Sequence, residues 1–343
     1  MKHSSPAETD FLDQALPKHA RLTRVVQTLI ANILNDEGVD FLSVTGRTKT
    51  RESASEKITR KSYANPSEQL TDLTGIRIVT YLDHQVGQIS NIISDTFIVD
   101  TENSMDRAQI LGNDKVGYRS VHFVCSLGHI RKGMREYKDL CSLKFEIQIR
   151  TVLQHAWAEL THDRSYKFSG VLPEALQRKL NLYAGILEVV DTAFDQIALS
   201  VDSYTEGLRS DQGTELADAS INTISLVEFL TKLKNETGIK VHSIQGDPDL
   251  IREMDEFGLN KISDLQALIT PEILKFYKDA PTETSEFGFL RTAMMFNDIE
   301  KYLNMQPTWK TLPLRHLDAL IPKYGEEDIK SLLSKYGKHL GPA

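Results

Sequence analysis

The chain has 343 residues, of which 40% are apolar and 26% charged, and a formal net charge of −8. That is enough for two domains, or one with a large appendage, each burying an ordinary core. The negative balance argues against broad, sequence-independent nucleic-acid binding, which rests on excess Lys and Arg, and no apolar run approaches the ~20 residues that span a bilayer.

Two cysteines, Cys125 and Cys141, have no CxxC spacing and read as reduced thiols rather than a zinc site. The first residues, Met1–Pro6, carry no apolar stretch of signal-peptide type, so the expected compartment is the cytoplasm.

From about Asp10 to Asp36, residues Leu22, Val25, Val26, Leu29, Ile30 and Ile33 recur at helical spacing, with Gly38 as a stop signal. Phe41–Val44 reads as a short strand and Gly46 as a turn. The segment 47–61 follows, helical from about Ser53, with six basic residues against two acids. A basic patch on an acidic protein points to a specific anionic ligand; a solvated helix face is the bland alternative.

Ile76–Leu82 reads as a strand from its β-branched content, 83–95 as a helix, and Phe97–Asp100 and Val121–Cys125 as further strands. Phe145–Ile149 alternates strictly, which sends its isoleucines to the core and Glu146 and Gln148 together to the other face. The expected fold is α/β (α+β): a mixed sheet of about five strands flanked by helices that cover one face. Thr151–His162 is expected to be helical.

Pro173 opens a long helix in which Leu176, Leu180, Tyr183, Leu187, Val190, Phe194 and Ile197 alternate spacings of four and three. This seam is expected to pack on the N-terminal helix, with a homo-oligomer contact as the alternative. The polar stretch 207–220 reads as a linker between residues 1–206 and a mostly α-helical accessory domain, 221–343, that carries no chemical motif.

Asp72 stands just ahead of one core strand and Glu146 projects from another, so the two can meet across a sheet face. Such a pair suits a hydrated magnesium ion, which takes one or two carboxylates plus water and substrate oxygens. A carboxylate inside an isoleucine-rich strand also needs a partner or an ion. His155 and His162 lie seven apart on one helix face, whereas metal-binding pairs prefer i, i+4; His155 therefore reads as pocket lining.

Four ordered motifs complete the picture: Gly-Arg-x-Lys-x-x-x-Ser-x-x-x-Lys from Gly46 to Lys57, Asp-x-x-Gly-Ile-Arg from Asp72 to Arg77, Lys-x-Gly-Tyr-Arg-Ser-x-His from Lys115 to His122, and Glu-Ile-Gln-Ile-Arg-Thr from Glu146 to Thr151. In these the chain resembles the RelA/SpoT family of alarmone synthetases, over roughly residues 9–200.

The resemblance implies a nucleotidyltransferase-like synthetase domain that moves the pyrophosphate of ATP to the 3′-hydroxyl of GDP or GTP with Mg2+ as cofactor. By it, Arg47 and Arg77 sandwich the adenine, and Lys49, Ser53 and Lys57 hold the donor phosphates. Asp72 and Glu146 bind the metal, and Glu146 also serves as base or hydroxyl-orienting group. Tyr118 stacks on the acceptor base, Lys115, Arg119 and His122 hold acceptor phosphates, Gln148 supports them, and His155 lines that pocket.

Thr161 stands where such stand-alone synthetases carry a glutamate for the guanine edge, and a threonine accepts hydrogen bonds more weakly. This keeps a second acceptor in view, the tRNA 3′ end or an adenine nucleotide. A non-catalytic nucleotide-binding regulator is the third reading.

Overall fold

The computed structural model describes residues 6–106, 120–162, 173–210 and 214–341. The chain divides into two compact units, Met1–Ala198 and Leu199–Ala343.

In the first unit, α1 (Pro6–Asp36) ends at Gly38, whose φ of +67° is the left-handed stop its sequence calls for. β1 (Ser43–Thr48), α2 (Arg51–Lys61), α3 (Pro66–Gln69), β2 (Thr74–Thr80), α4 (Asp83–Thr96), β3 (Ile98–Val99), β4 (Met105–Asp106), β5 (Val121–Ser126), β6 (Phe145–Thr151), α5 (Val152–His162) and α6 (Glu174–Arg209) follow. The sheet runs β1-β2-β6-β5-β3, with β4 on β5. β2 and β6 are parallel and the other pairs antiparallel, so the sheet is mixed.

One face is dry. Leu22, Val26, Ile30 and Leu34 of α1 and Ile89 and Ile93 of α4 bury against Ile76, Ile78, Phe145, Ile147 and Ile149. Each fully buried aliphatic contributes about 1.5–3 kcal/mol, so the alternation in β6 fixes which face is left for chemistry.

Gly46 is no turn: it lies inside β1, opposite Ile76. A Cβ there would come within 2.8 Å of Thr23 Cγ2 and 3.1 Å of Ile76 Cδ1. The missing side chain lets α1 cross the strand, and the strand therefore carries Arg47 on to the open face. α2 begins at Arg51, two residues before the expected start, because the Thr50 hydroxyl caps it by accepting from the Ser53 amide at 3.3 Å.

The seam of α6 also differs from expectation. Tyr183, Phe194 and Ile197 are more than half exposed. The face turned inward is small and polar: Ala184 and Asp191 are buried, the Thr151 hydroxyl donates to Asp191 Oδ2 at 2.6 Å, and Asp195 accepts from the His84 amide at 2.9 Å and meets its ring Nδ1 at 2.6 Å. Satisfying those two carboxylates at the sheet turns the apolar stripe outward.

The second unit is mostly helical: α7 (Thr214–Asp218), α8 (Thr223–Thr237), α9 (Pro248–Glu256), α10 (Ile262–Leu268), α11 (Pro271–Asp279), α12 (Glu286–Asn297), α13 (Ile299–Asn304), α14 (Leu314–Tyr324) and α15 (Glu326–Lys335). Two short parallel ribbons accompany them: β7 (Val241–His242) with β8 (Thr284–Ser285), and β9 (Thr311–Pro313) with β10 (His339–Gly341). Leu226, Leu250, Leu265, Phe289, Met294 and Leu320 form its closed core. The stretch read as a linker thus holds the end of α6 and all of α7. No helix among the described residues is long and apolar enough to cross a membrane.

Candidate active site

The sheet face away from α1 and α4 presents two rows of residues in register. Arg47, Gly75, Glu146 and Val124 stand side by side on β1, β2, β6 and β5; Thr45, Arg77, Gln148 and His122 form the next row. Partners opposite one another share a face, so Arg47, Arg77, Glu146, Gln148 and His122 converge although they are up to 101 positions apart. Gly75 has no side chain and leaves a gap between Arg47 and Glu146.

Asp72 stands at the entrance to β2. Its Oδ2 accepts from Lys49 Nζ at 2.6 Å and from Lys57 Nζ at 2.7 Å. Its Oδ1 is buried and has no hydrogen-bond partner among the described residues. Burial alone raises the carboxyl pKa; the hydrogen bonds and charges of the two lysines outweigh it and hold Asp72 below the usual carboxylate range.

Glu146 follows the same logic. Burial pushes its pKa up and the Asp72 charge adds to this, but hydrogen bonds from the His122 ring (2.8 Å to Oε1) and Gln148 Nε2 (3.3 Å to Oε1) win and hold it low. The two acids are close enough to feel each other's charge, yet both stay ionised.

Among the described residues no group of three or more His, Cys, Asp or Glu side chains is arranged to hold a metal ion. Two ionised carboxylates, one with an unsatisfied buried oxygen, nevertheless fit a hard divalent ion that completes its shell with water and substrate oxygens.

His122 is not placed as a free phosphate ligand. Its Nε2 meets Ser120 Oγ at 2.7 Å and its Nδ1 meets Glu146, so the ring is fixed between them. Gln148 in turn accepts from Arg150 Nη2, which makes a continuous chain from Ser120 to Arg150. Arg77 donates to Glu159 Oε1 on α5 at 2.7 Å. His155 lies one turn before Glu159, and burial, then the charges of Arg77 and Arg150, hold its pKa below the ordinary imidazole value. The Thr161 hydroxyl donates to the Trp157 carbonyl one turn back, at 2.9 Å.

Lys115, Tyr118 and Arg119 lie outside the described residues. Ser53 sits on the first turn of α2, one turn from Lys57.

Sequence reasoning did not single out Ser120, Arg150 or Glu159 as site residues. The signal was periodicity: Ser120 is two residues from His122, Arg150 continues the alternation of Glu146 and Gln148, and Glu159 is four beyond His155 on a helix.

Residues 46–170 match a family described as a region found in RelA / SpoT proteins. Two Bacillus subtilis (strain 168) proteins, GTP pyrophosphokinase YjbM and GTP pyrophosphokinase YwaC, are each 28% identical to the chain over 158 and 163 residues. These alignments cover 45% and 46% of this chain and 70% and 73% of the two relatives. Among solved structures, small alarmone synthetase 1 from Bacillus subtilis aligns with a TM-score of 0.46 and 24% identity, over 57% of this chain and 99% of that one. The same enzyme bound to its product pppGpp aligns with a TM-score of 0.46 and 25% identity, over 55% of this chain and 97% of that one.

Proposed function

We propose that the chain, whose residues 46–170 match a region found in RelA / SpoT proteins, is a nucleotide pyrophosphokinase that moves the β,γ-pyrophosphate of ATP to the 3′-hydroxyl of GDP or GTP. The observation that carries the reading is the pair Asp72–Glu146: two ionised, half-buried acids in mutual electrostatic reach, one with an oxygen left open.

Asp72 and Glu146 would hold Mg2+, which neutralises phosphate charge and polarises the reacting oxygens when bound. Lys49 and Lys57 now neutralise Asp72; with donor bound they turn to its phosphates, as charge balance requires. Arg47 and Arg77 lie diagonal to one another on adjacent strands, a spacing that suits guanidinium planes on either side of a purine.

Glu146 takes the proton of the 3′-hydroxyl. The oxygen then bonds to the β-phosphorus, the bond from that phosphorus to the α,β-bridging oxygen breaks, and AMP leaves. His122 and Gln148 keep the Glu146 carboxylate aimed. Lys115, Tyr118 and Arg119 are assigned to the acceptor by family resemblance alone.

One observation favours a different acceptor. Thr161 donates its hydroxyl to its own helix and brings no carboxylate to a guanine edge. An adenine nucleotide or the tRNA 3′ end therefore remains the second reading.

The test is to incubate the pure chain with Mg2+, γ-labelled ATP and either GDP, GTP, ATP alone or tRNA. Label on GDP or GTP at the 3′ position, with matching AMP, is the expected result. Label only on tRNA or an adenine nucleotide selects the second reading, and folded protein that labels none of them removes both.

A further inference from the structure

The open face of β6 ends in a cation. Glu146, Gln148 and Arg150 alternate along the strand, and Arg150 is only 4% exposed. On the dry face the same strand fills space with Ile147 and Ile149. A guanidinium at this depth is costly unless its N–H groups are met. One of them is met by Gln148 Oε1, which accepts from Arg150 Nη2.

That bond has a direction. An arginine side chain carries donors, no acceptor, and a proton it does not lose, whereas a glutamine amide has an oxygen that only accepts and a nitrogen that only donates. Arg150 can therefore be met by Oε1 alone. The amide nitrogen then points the other way along the strand, where it donates to Glu146 Oε1 at 3.3 Å. The opposite turn of the amide would set its N–H groups against the guanidinium and its oxygen against the carboxylate.

The second arm reaches the same oxygen. His122 Nδ1 meets Glu146 Oε1 at 2.8 Å, and an ionised carboxylate only accepts, so Nδ1 is the donor there; Ser120 Oγ holds the far side of the ring at 2.7 Å. Among the described residues both hydrogen bonds to Glu146 arrive at Oε1, which leaves Oε2 for the reacting hydroxyl.

We propose that Arg150 is a positioning residue for pyrophosphate transfer: by fixing which way the Gln148 amide faces, it fixes which oxygen of Glu146 is held and which is offered to the 3′-hydroxyl. It acts through Gln148 and not on the substrate. The inference rests on the reading of Glu146 as the group that takes the hydroxyl proton.

Arg150→Met, unbranched and without donors, should lower kcat about ten- to hundredfold and leave KM for ATP and for the acceptor within about twofold. Arg150→Lys, which also only donates, should recover most of the lost kcat. Adding Arg150→Met to Gln148→Met should cost nothing further, because the two side chains act in series. A folded Arg150→Met chain with the parent's kcat, a raised KM for ATP at the parent's kcat, or losses that multiply in the double variant would each overturn the proposal.

Should Arg150→Met misfold, or the parent chain transfer nothing, 1H–15N NMR of the unmutated chain decides; the second of these outcomes removes the functional reading without touching the hydrogen-bond direction. One Gln148 Nε2 proton should lie downfield through its bond to Glu146, and the Arg150 Nη groups should give separate, slowly rotating signals. A Gln148 amide at the position of free glutamine, or a freely rotating Arg150 guanidinium, would overturn the proposal.

Discussion

Two acids of the second unit, Glu253 and Glu286, and two of the first, Asp72 and Glu146, are used in opposite ways. In the second, Glu253 accepts from Arg291 Nε at 2.8 Å and from the Tyr302 hydroxyl at 2.9 Å. Glu286 accepts from the backbone amides of Gln245, Gly246 and Asp247 at 3.0, 3.0 and 3.3 Å. Both acids are fully committed to holding loops and helices together. In the first unit Asp72 keeps one oxygen open, and Glu146 is steadied by neighbours on a sheet face that stays accessible. A buried acid whose bonds are complete is part of the framework, whereas one left incomplete beside a second acid is equipped for a ligand.

The sharpest way to break this contrast is to neutralise the acids in turn. Asp72→Asn or Glu146→Gln should lower pyrophosphate transfer about 10²–10⁴-fold with little loss of stability. Glu253→Ala leaves Arg291 without its counter-charge in a half-buried site and should cost about 3–5 kcal/mol of stability, while turnover per folded molecule stays the same. Kinetics and denaturant melts on the three variants decide it; a Glu253→Ala protein of native stability would sink the framework half of the comparison.

The units share one device, which predicts a common acid response. His19 in the first and His316 in the second are each held neutral by burial, with pKa values lowered from 6.5 to about 4; the Arg315 charge also lowers that of His316. Between those values the unfolded chain takes up a proton that the folded chain refuses. Stability from each is therefore complete above about pH 6.5 and falls as pH drops toward 4, by about 3 kcal/mol at most. Thermal melts across pH 4–7 should show this, and His316→Gln should flatten the response of the second unit; an unchanged profile in that variant contradicts the assignment.

Gly46→Ala tests whether the first unit's site depends on close packing behind it. The added methyl meets Thr23 and Ile76, at an expected cost of about 1–3 kcal/mol with some displacement of Arg47. A melt unchanged from the parent chain would contradict this.

The smallest effect is expected at Thr161→Glu, which should raise the preference for guanine over adenine acceptors about tenfold. Product ratios from mixed acceptors measure it, and an unchanged ratio would place acceptor choice elsewhere.

Much of the first unit was legible in the chain because periodicity reports faces. The alternation Phe145–Ile149 foretold which side of β6 is dry, and the ordered acids and cations around it foretold the site. Gly46 was misread because a glycine in sequence looks the same whether it turns a chain or admits a neighbouring helix. The packing of the α6 seam on the N-terminal helix was misread because the heptad spacing is real, while the inward face was chosen by Asp191 and Asp195 finding Thr151 and His84.

By itself the sequence determined the elements, the dry face of the sheet and the candidate acids, since these follow from local preference and side-chain alternation. Only the tertiary structure decided that the His122 ring is held between Ser120 and Glu146 and that Asp72 retains an open oxygen. Those depend on distances between residues far apart in the chain, and such distances are set by how whole elements pack rather than by any pattern within one of them.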